Sequence, residues 1–584
     1  MIQKYGVTFA DGCTEADIEL WMAFDVHPTE VPSLHRATGF LGAYEHLHRA
    51  IDLIWNRYDK PLLIWNDWSE MMMDELISAY HGCGEIVFTG PSASWKSTCV
   101  ACFINAAWMA DPLQTKCPIS STNLGSLREL LWKDVHKFYR TSQCGFGNVV
   151  QHPKPKIQTI KGEDDKGIFG VAVKQGDTED VIEQIKGRHA PKVIVGIDEG
   201  PGALQAVVDA CINLRTGCQK FLLIMLGNAN SQFDQHGLLS EPAAGWDSVT
   251  VESEKWKTKR GGVCIHLDGH KAPNVILGYQ KYPGMISQSD LDKAKEQYGE
   301  NSPRYWQERR GFWPPEGLTK TVLTASMLDK FHARDNPVWV NEPILVAALD
   351  PAFEGGNRRV LRFGKVGLCD SEVDGVHIHH RVLCPTEIIC LKVDITSKEP
   401  IHYQIARQTR EECKSRGVDP ENFAMDSSGE GGGVSAIFKR EWSEDIVEVE
   451  FGGYPDKDRT VSDINPRTWA QEVVNKVTQL WLQVRVAVER NQIRGLDVQT
   501  AKEFCQRKID YERYAPRSIV QSKKEMHDLI GGSPDFSDCF AVMQELCLRR
   551  GYLPSATVIS GRTRSENWQS WAKEMVPLSR YANA

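Results

Sequence analysis

Between residues 60 and about 250, short apolar runs rich in β-branched residues alternate with stretches whose apolar positions recur at helical spacing. That alternation predicts a mainly parallel sheet covered by helices. The clearest predicted strands are Glu85–Thr89, Lys192–Ile197 and Phe221–Leu226. The run from Gly311 to Gly317, with two glycines and two prolines, interrupts regular structure. A second series then predicts strands at Ile344–Leu349, Val360–Val366 and Val376–Val382, a helix near His402–Arg416 and a strand at Asn422–Met425. Ahead of residue 60 an aromatic-rich segment carries one amphipathic run, Phe40–Ile51. The pattern divides the chain into an N-terminal extension (1–59), a first domain (60–315), a linker (316–342), a second domain (343–550) and a short polar tail (551–584), the boundary itself falling between about 312 and 342. No internal repeat is found.

Composition adds limits. With 584 residues, each domain is long enough to bury its own core. The formal net charge of −9 argues against a protein that coats nucleic acid through its overall field, and leaves local basic grooves open. No stretch approaches the roughly 18 apolar residues of a membrane span, and Met1–Lys4 does not begin a signal peptide, so a cytoplasmic protein without membrane contact is expected. The sixteen cysteines are scattered, which fits reduced thiols. Cys99 and Cys102 lie in an apolar stretch without a second ligand pair and are expected to pack in a core. His377, His379 and His380 alternate like a strand, so at most two share a face, and a sheet surface is expected rather than a metal site.

Strand Ile86–Phe88 runs into Gly90-Pro91-Ser92-Ala93-Ser94-Trp95-Lys96-Ser97-Thr98 and then an apolar helical stretch, the context that a phosphate-binding loop requires. In such a loop Lys96 reaches the β- and γ-phosphates of ATP, Ser97 binds Mg²⁺ and backbone amides face the anion. Trp95 stands where the second glycine of the motif belongs. Val193–Ile197 ends in Asp198-Glu199, as expected of a strand delivering Asp198 to Mg²⁺ and Glu199 to the attacking water. The third strand ends near Asn228, at the sheet edge where doubly wound proteins bind ligands, and Asn228 is a candidate sensor of the γ-phosphate.

The second half carries acids suited to two-metal phosphodiester cleavage, which needs carboxylates converging on cations roughly 3.5–4 Å apart. Asp350 ends an apolar strand, and Asp426 ends another ahead of a glycine-rich loop. In Ser533-Pro-Asp535-Phe-Ser-Asp538 the two acids lie three apart on a helix that Pro534 starts, so both can face one site. Taken alone, that pair also suits charge stabilisation of a helix N-terminus. Arg358, Arg359, Arg362, Arg507, Lys508, Arg513, Arg517, Lys523 and Lys524 flank these acids as candidate phosphate contacts, or as a solvated face. Three antiparallel strands followed by a helix and a further strand is the order of a ribonuclease-H-like domain.

These motifs, in this order, resemble the large terminase subunit of tailed bacteriophages over about residues 60–548. The resemblance also rests on Ile119–Trp132, on Gly187-Arg188 ahead of the acidic strand, on Ser302–Trp313 and on Ser522-Lys-Lys-Glu-Met526. It implies an α/β chain: a P-loop NTPase domain with a mainly parallel sheet, then a ribonuclease-H-like nuclease domain. It implies an ATP-driven motor that moves double-stranded DNA into a procapsid and cuts concatemers. Arg188 is implied as an arginine finger, and Asp350, Asp426 and Asp535 as ligands of two divalent cations, Mg²⁺ or Mn²⁺, with Asp538 as fourth acid. The implied partners are the portal protein, the small terminase subunit and further copies in a ring, in the host cytoplasm and transiently at the portal. A repair or defence helicase–nuclease and a noncatalytic scaffold with a decayed ATPase are the other readings.

Overall fold

The structure is a computed structural model that describes residues 2–4, 7–9, 11–25, 42–57, 60–82, 84–151, 154–163, 166–172, 190–315, 318, 320–353, 358–373, 376–461, 467–511, 513–530 and 533–554. It divides into two compact units, Met1–Leu318 and Thr319–Ala584. None of its helices is long and apolar enough to cross a membrane among the described residues.

In the first unit, β1 (Ile2–Lys4) and β2 (Val7–Phe9) form a separate hairpin. A nine-stranded sheet comprises β3 (Glu85–Thr89), β4 (Thr115–Ser121), β5 (Asn148–Val150), β6 (Lys156–Gln158), β7 (Gly167–Ala172), β8 (Lys192–Ile197), β9 (Lys220–Gly227), β10 (Lys255–Lys257) and β11 (Val263–His266). Its order is β10-β11-β3-β9-β8-β4-β7-β6-β5. Every pairing from β11 to β7 is parallel, and the antiparallel strands are confined to the two edges. Parallel strands end on the same edge, so the segments after Thr89, Ile197 and Gly227 emerge side by side, with β9 between β3 and β8.

Helices α1 (Glu15–Phe24), α2 (Ala43–Trp55), α3 (Asp67–His81) and α4 (Lys96–Ala110) cover this sheet. Leu20, Phe24, Leu47, Ile51 and Trp55 join the same core as Phe88, Phe103 and Ile194. Residues before 60, expected as an extension, therefore supply part of that core, because the apolar stripe of α2 is buried against the helices beside it. Lys192 at the start of β8 pairs with Asp25, just after α1, and with Asp111 at 2.9 Å. Cys99 and Cys102 are both in the core.

The second unit holds a six-stranded sheet of β12 (Val338–Trp339), β13 (Ile344–Asp350), β14 (Val360–Val373), β15 (Val376–Cys390), β16 (Phe423–Asp426) and β17 (Val447–Val449), ordered β12-β14-β13-β16-β17 with β15 on β14. Strands β13, β14 and β15 are antiparallel, whereas β16 and β17 join in parallel. With α5 (Ile401–Ser415) between β15 and β16, and α6 (Gly431–Glu441) between β16 and β17, this is the ribonuclease-H-like arrangement. The β14–β15 hairpin runs further than its apolar portion predicts, to Val373 and Cys390, with backbone pairing along its length from Val360 opposite Cys390 to Val373 opposite Val376. His380 points inward while His377 and His379 lie on the exposed face beside Asp370, at 3.2 and 3.6 Å.

The unit also holds α7 (Lys476–Glu489), α8 (Val498–Gln506), α9 (Lys523–Ile530) and α10 (Asp535–Arg549), with α10 packed across β13, β14 and β16 and against α7 and α8. Residues 320–333, expected within a linker, belong to this body. Val322 and Leu323 are fully buried, and their amides donate to the carbonyls of Arg507 and Phe504 at 3.0 and 3.3 Å.

Leu323→Ala is therefore expected to destabilise the protein by about 2–5 kcal/mol, read as a lower urea midpoint. A residue in a free connector would change it by less than about 0.5 kcal/mol.

Candidate nucleotide and acidic sites

The loop after β3 turns into α4 through two left-handed residues, Ala93 (φ 61°) and Trp95 (φ 63°). Left-handed residues on either side of Ser94 turn successive amides toward one side, the geometry of an anion-binding nest. The first-turn amides of α4 have no partner within the helix and add to it. Trp95 thus adopts the conformation that glycine usually supplies, at a cost of about 1–2 kcal/mol. Its indole packs edge-on to Tyr282, with ring centroids 6.2 Å apart, a contact that offsets about 0.5–1.5 kcal/mol. The two magnitudes are comparable, so the loop keeps its shape without the glycine.

Lys96 is buried at the centre of this loop and donates to the carbonyls of Gly90 (2.8 Å) and Pro91 (2.7 Å) and to Ser94 Oγ (2.9 Å). Burial pushes its ammonium down to about 7, although Asp198 acts the other way. Asp198 follows β8 and is buried; desolvation raises its carboxyl, while the Glu199 amide and Lys96 oppose the rise. Ser97 Oγ lies 3.4 Å from Asp198 Oδ2, so the two side chains expected to share Mg²⁺ face one another. Glu199 adopts a left-handed backbone (φ 54°), and its carboxylate accepts from Thr122 Oγ1 at 2.7 Å and Ser121 Oγ at 3.2 Å, both at the end of β4. Asn228 is half-buried after β9, between the strands that lead to Lys96 and to Asp198. Thr98 turns away and donates to Asp134 at 2.9 Å. Ser92 and Ala93 are exposed, whereas Pro91 and Ser94 are buried. Segment 306–313 closes on the loop: a Cβ on Gly311 (φ 64°) would meet Gly90 Cα at 2.4 Å, so only glycine fits there. Gly187 and Arg188 lie outside the described residues.

The acids of the second unit come from three elements. Asp350 ends β13 and is almost fully buried, with Oδ2 lacking a hydrogen-bond partner among the described residues. Desolvation holds its carboxyl well above the ordinary range; Lys523 opposes the rise, and Asp538, Asp426 and Asp535 add to it. Asp426 ends β16, its carboxyl raised by burial and steadied by the Ser428 amide at 2.9 Å. On α10, Asp535 accepts from the Arg358 amide at 2.8 Å. Asp538 accepts from Trp481 Nε1 at 2.8 Å and pairs with Lys523 at 2.7 Å. The four carboxylates therefore share one electrostatic locus, and Lys523 projects its ammonium into it. Lys523 is held above its ordinary range chiefly by Asp538, with Asp350 and Asp426 adding, and its side chain is still 46% exposed, so the locus opens to solvent. Of the two α10 acids, Asp538 acts more strongly on Asp350 than Asp535 does.

No three His, Cys, Asp or Glu side chains among the described residues are placed together so as to hold a metal ion. The donor set is nonetheless the hard-oxygen kind that Mg²⁺ and Mn²⁺ take, and the bare Asp350 oxygen fits it.

Two of the flanking cations expected on the surface are internal. Arg362 is fully buried and donates to Asp497 Oδ2 at 2.8 Å, because the first turn of α8 covers β14 there. Arg507 is buried over the Trp481 ring at 4.1 Å, and desolvation brings it down to about 10. Arg358, Lys508, Arg513, Arg517 and Lys524 are exposed. The sequence did not point to Trp481 or Glu503, and it marked Ser121 and Thr122 only as part of the Ile119–Trp132 segment, without a role at the Glu199 carboxylate. Glu503 is 1% exposed beside α10, and burial pushes its carboxyl up to about 8. Nothing in Ala501-Lys-Glu503-Phe distinguishes that glutamate from one on a solvated helix face.

No protein-family model and no curated protein matches the chain. Among solved structures it is similar to the large terminase of the HK97 bacteriophage (11% identity, 86% of this chain and 98% of that chain covered, TM-score 0.40). It is also similar to the large terminase of a thermophilic bacteriophage in complex with ADP (12% identity, 81% and 99% covered, TM-score 0.33). A third is the nuclease domain of the large terminase subunit gp2 of bacterial virus Sf6 (15% identity, 38% and 97% covered, TM-score 0.27).

A lysine whose folded pKa of about 7 lies below its ordinary 10.5 binds fewer protons folded than unfolded across that span. Its contribution to stability therefore rises with pH through the window, and the buried ammonium is a liability below it. Without added nucleotide, the thermal midpoint of the protein relative to Lys96→Met is expected to climb steadily from pH 7 toward pH 10. A difference that does not change with pH would mean that Lys96 is not desolvated.

Proposed function

We propose that the chain is the large terminase subunit of a tailed bacteriophage: an ATPase motor that drives double-stranded DNA into a procapsid, joined to a divalent-metal-dependent endonuclease that cuts the concatemer. The observation that carries this reading is that Asp350, Asp426 and Asp538 all act on Lys523, which pairs with Asp538, while Asp535 acts on Asp350, in a unit that follows a phosphate loop and an Asp-Glu strand end in the same chain.

In the motor, Lys96 exchanges its loop carbonyls for the β- and γ-phosphates, and burial makes that exchange favourable by giving the ammonium an anionic partner. Ser97 and Asp198 are the residues that would hold Mg²⁺. Glu199 leaves the Thr122 and Ser121 hydroxyls to orient the attacking water, and Asn228 reads the γ-phosphate from between the two loops. Arg188 is proposed to act on a neighbouring copy's ATP. Trp95 leaves the loop geometry in place, which favours a working ATPase over a decayed one.

In the nuclease, Asp350 and Asp426 would hold two cations together with a carboxylate of α10. Of that pair, Asp538 acts the more strongly on the Asp350 carboxyl, and Asp535 accepts from the Arg358 amide. Bound there, the cations would generate a hydroxide nucleophile and stabilise the leaving oxygen. Lys523 neutralises part of the acidic charge and would hand Asp538 over as a cation binds. Exposed Arg358, Lys508, Arg513, Arg517 and Lys524 are the cations proposed to contact the phosphates of DNA. The portal protein, the small terminase subunit and further copies in a ring are the proposed partners, met in the host cytoplasm.

Packaging is tested by ATP-dependent protection of DNA from DNase in the presence of procapsids; strand displacement without procapsids would replace this reading with a helicase–nuclease. Lys96→Ala and Glu199→Ala are each expected to lower ATP turnover by about 100-fold or more. Asp350→Ala and Asp426→Ala should abolish Mn²⁺-dependent plasmid cleavage and spare ATP turnover; cleavage retained in either removes that residue from the site.

A further inference from the structure

Helix α10 carries two of the four acids, yet its own start is poorly built. Its N-cap is Pro534, which makes no side-chain cap, so the first-turn amides need acceptors from elsewhere. Glu503, on α8, supplies one: its Oε2 accepts from the Ser537 amide at 2.7 Å. Ser537 stands between Asp535 and Asp538 in sequence and is fully buried. Its hydroxyl donates to the Thr500 carbonyl of α8 at 3.1 Å, so α8 grips this turn twice.

The other side of α8 is tied to the sheet. Asp497 caps α8 through the Thr500 amide at 2.9 Å and accepts from Arg362 of β14 at 2.8 Å. Strand β14 pairs with β13, and Asp350 lies opposite Val360 in that pairing. A continuous run of hydrogen bonds thus leads from β14, the neighbour of the strand that carries Asp350, through Arg362, Asp497 and Thr500 to Ser537, and Glu503 holds the amide of that same residue in the turn that carries Asp535 and Asp538. Just beyond α8, Arg507 lies 3.7 Å from Asp538.

We propose that Glu503 is a positioning residue of the nuclease site, a side-chain cap supplied in trans by α8 that sets the register of the Asp535–Asp538 turn against Asp350. The proposal rests on the nuclease reading above. A cap contributes about 1 kcal/mol to stability. Its larger effect is on geometry, since outer-shell partners of metal-binding side chains typically change metal affinity or activity by about 10–100-fold.

The acceptor is what matters, so Glu503→Gln retains the cap through its amide oxygen, whereas Glu503→Asp is one methylene too short and Glu503→Ala has none. In the full-length protein, Mn²⁺ binding followed by calorimetry is expected to weaken roughly 10-fold in the Asp and Ala variants and to stay near wild type in Gln. Cleavage kcat should fall about 10–100-fold in the same two variants, with ATP turnover unchanged. Before any metal is added, amide exchange over residues 535–549 should quicken in Asp and Ala only. If Ala does not fold, Asp carries the comparison. Wild-type Mn²⁺ affinity in both Asp and Ala, or a loss in Gln as large as in Asp, overturns the positioning role. Absence of metal-dependent cleavage in the unsubstituted protein would instead overturn the nuclease reading itself.

Discussion

Burying a carboxylate at the end of an apolar strand is the constraint around which the second unit is arranged. Val346 to Leu349 are fully buried, and Asp350 continues that strand with one oxygen unpartnered among the described residues. A charged carboxylate left there alone costs several kcal/mol even after relaxation. Its neighbours sharpen the problem, because Asp426, Asp535 and Asp538 all push the same way. Lys523 is the one cation acting on Asp350 among those that shift it, and it comes from α9, far along the chain. The sheet, α9 and α10 must therefore dock together before the acidic locus has an acceptable energy, which couples assembly of the site to folding of the whole unit.

The first unit faces the mirror-image problem. Lys96 is a buried cation whose immediate partners are carbonyl dipoles and a hydroxyl, and these do not restore its ordinary pKa. Such a site gains more from an anion than a solvated lysine would, because the desolvation has already been incurred in folding. The nest formed around Ser94 and the free amides of α4 add dipoles of the same sign. Trp95 shows that the loop's geometry, rather than its glycine, is what matters. The indole accepts left-handed strain and recovers a comparable amount by packing on Tyr282.

Much of this was legible in the sequence because the strands that position the sites are short, apolar and bounded. Glu85–Thr89 and Lys192–Ile197 begin and end as their patterns predict, and each hands directly to a residue of the candidate nucleotide site. Strands β13 and β16 end one residue later than their apolar patterns predict, on Asp350 and Asp426 themselves. What pattern alone missed depends on partners distant in sequence. The stripe of α2 reads as an independent amphipathic helix until its partners are placed, and residues 320–333 read as a connector because Val322 and Leu323 are too few to announce a core. Arg362, Arg507 and Glu503 are charged residues that local sequence assigns to solvent, and only α8 and α10 packed against the sheet show them to be internal.

That sorting of charges changes what the surface can do. With a net charge of −9, attraction of a polyanion cannot come from the overall field. Of the cations flanking the acids, Arg362 holds α8 to the sheet, Arg507 stacks on Trp481, and Lys523 is engaged by Asp538. Exposed Arg358, Lys508, Arg513, Arg517 and Lys524 remain, on segments adjoining the acidic locus. A duplex held by so few phosphate contacts is held weakly, since each contributes only a modest counterion-release term. On the proposed function weak holding is an advantage, because a motor must let its track slide. On the same proposal, weak holding would leave the timing of cleavage to whatever arrests the DNA rather than to affinity for the acidic locus.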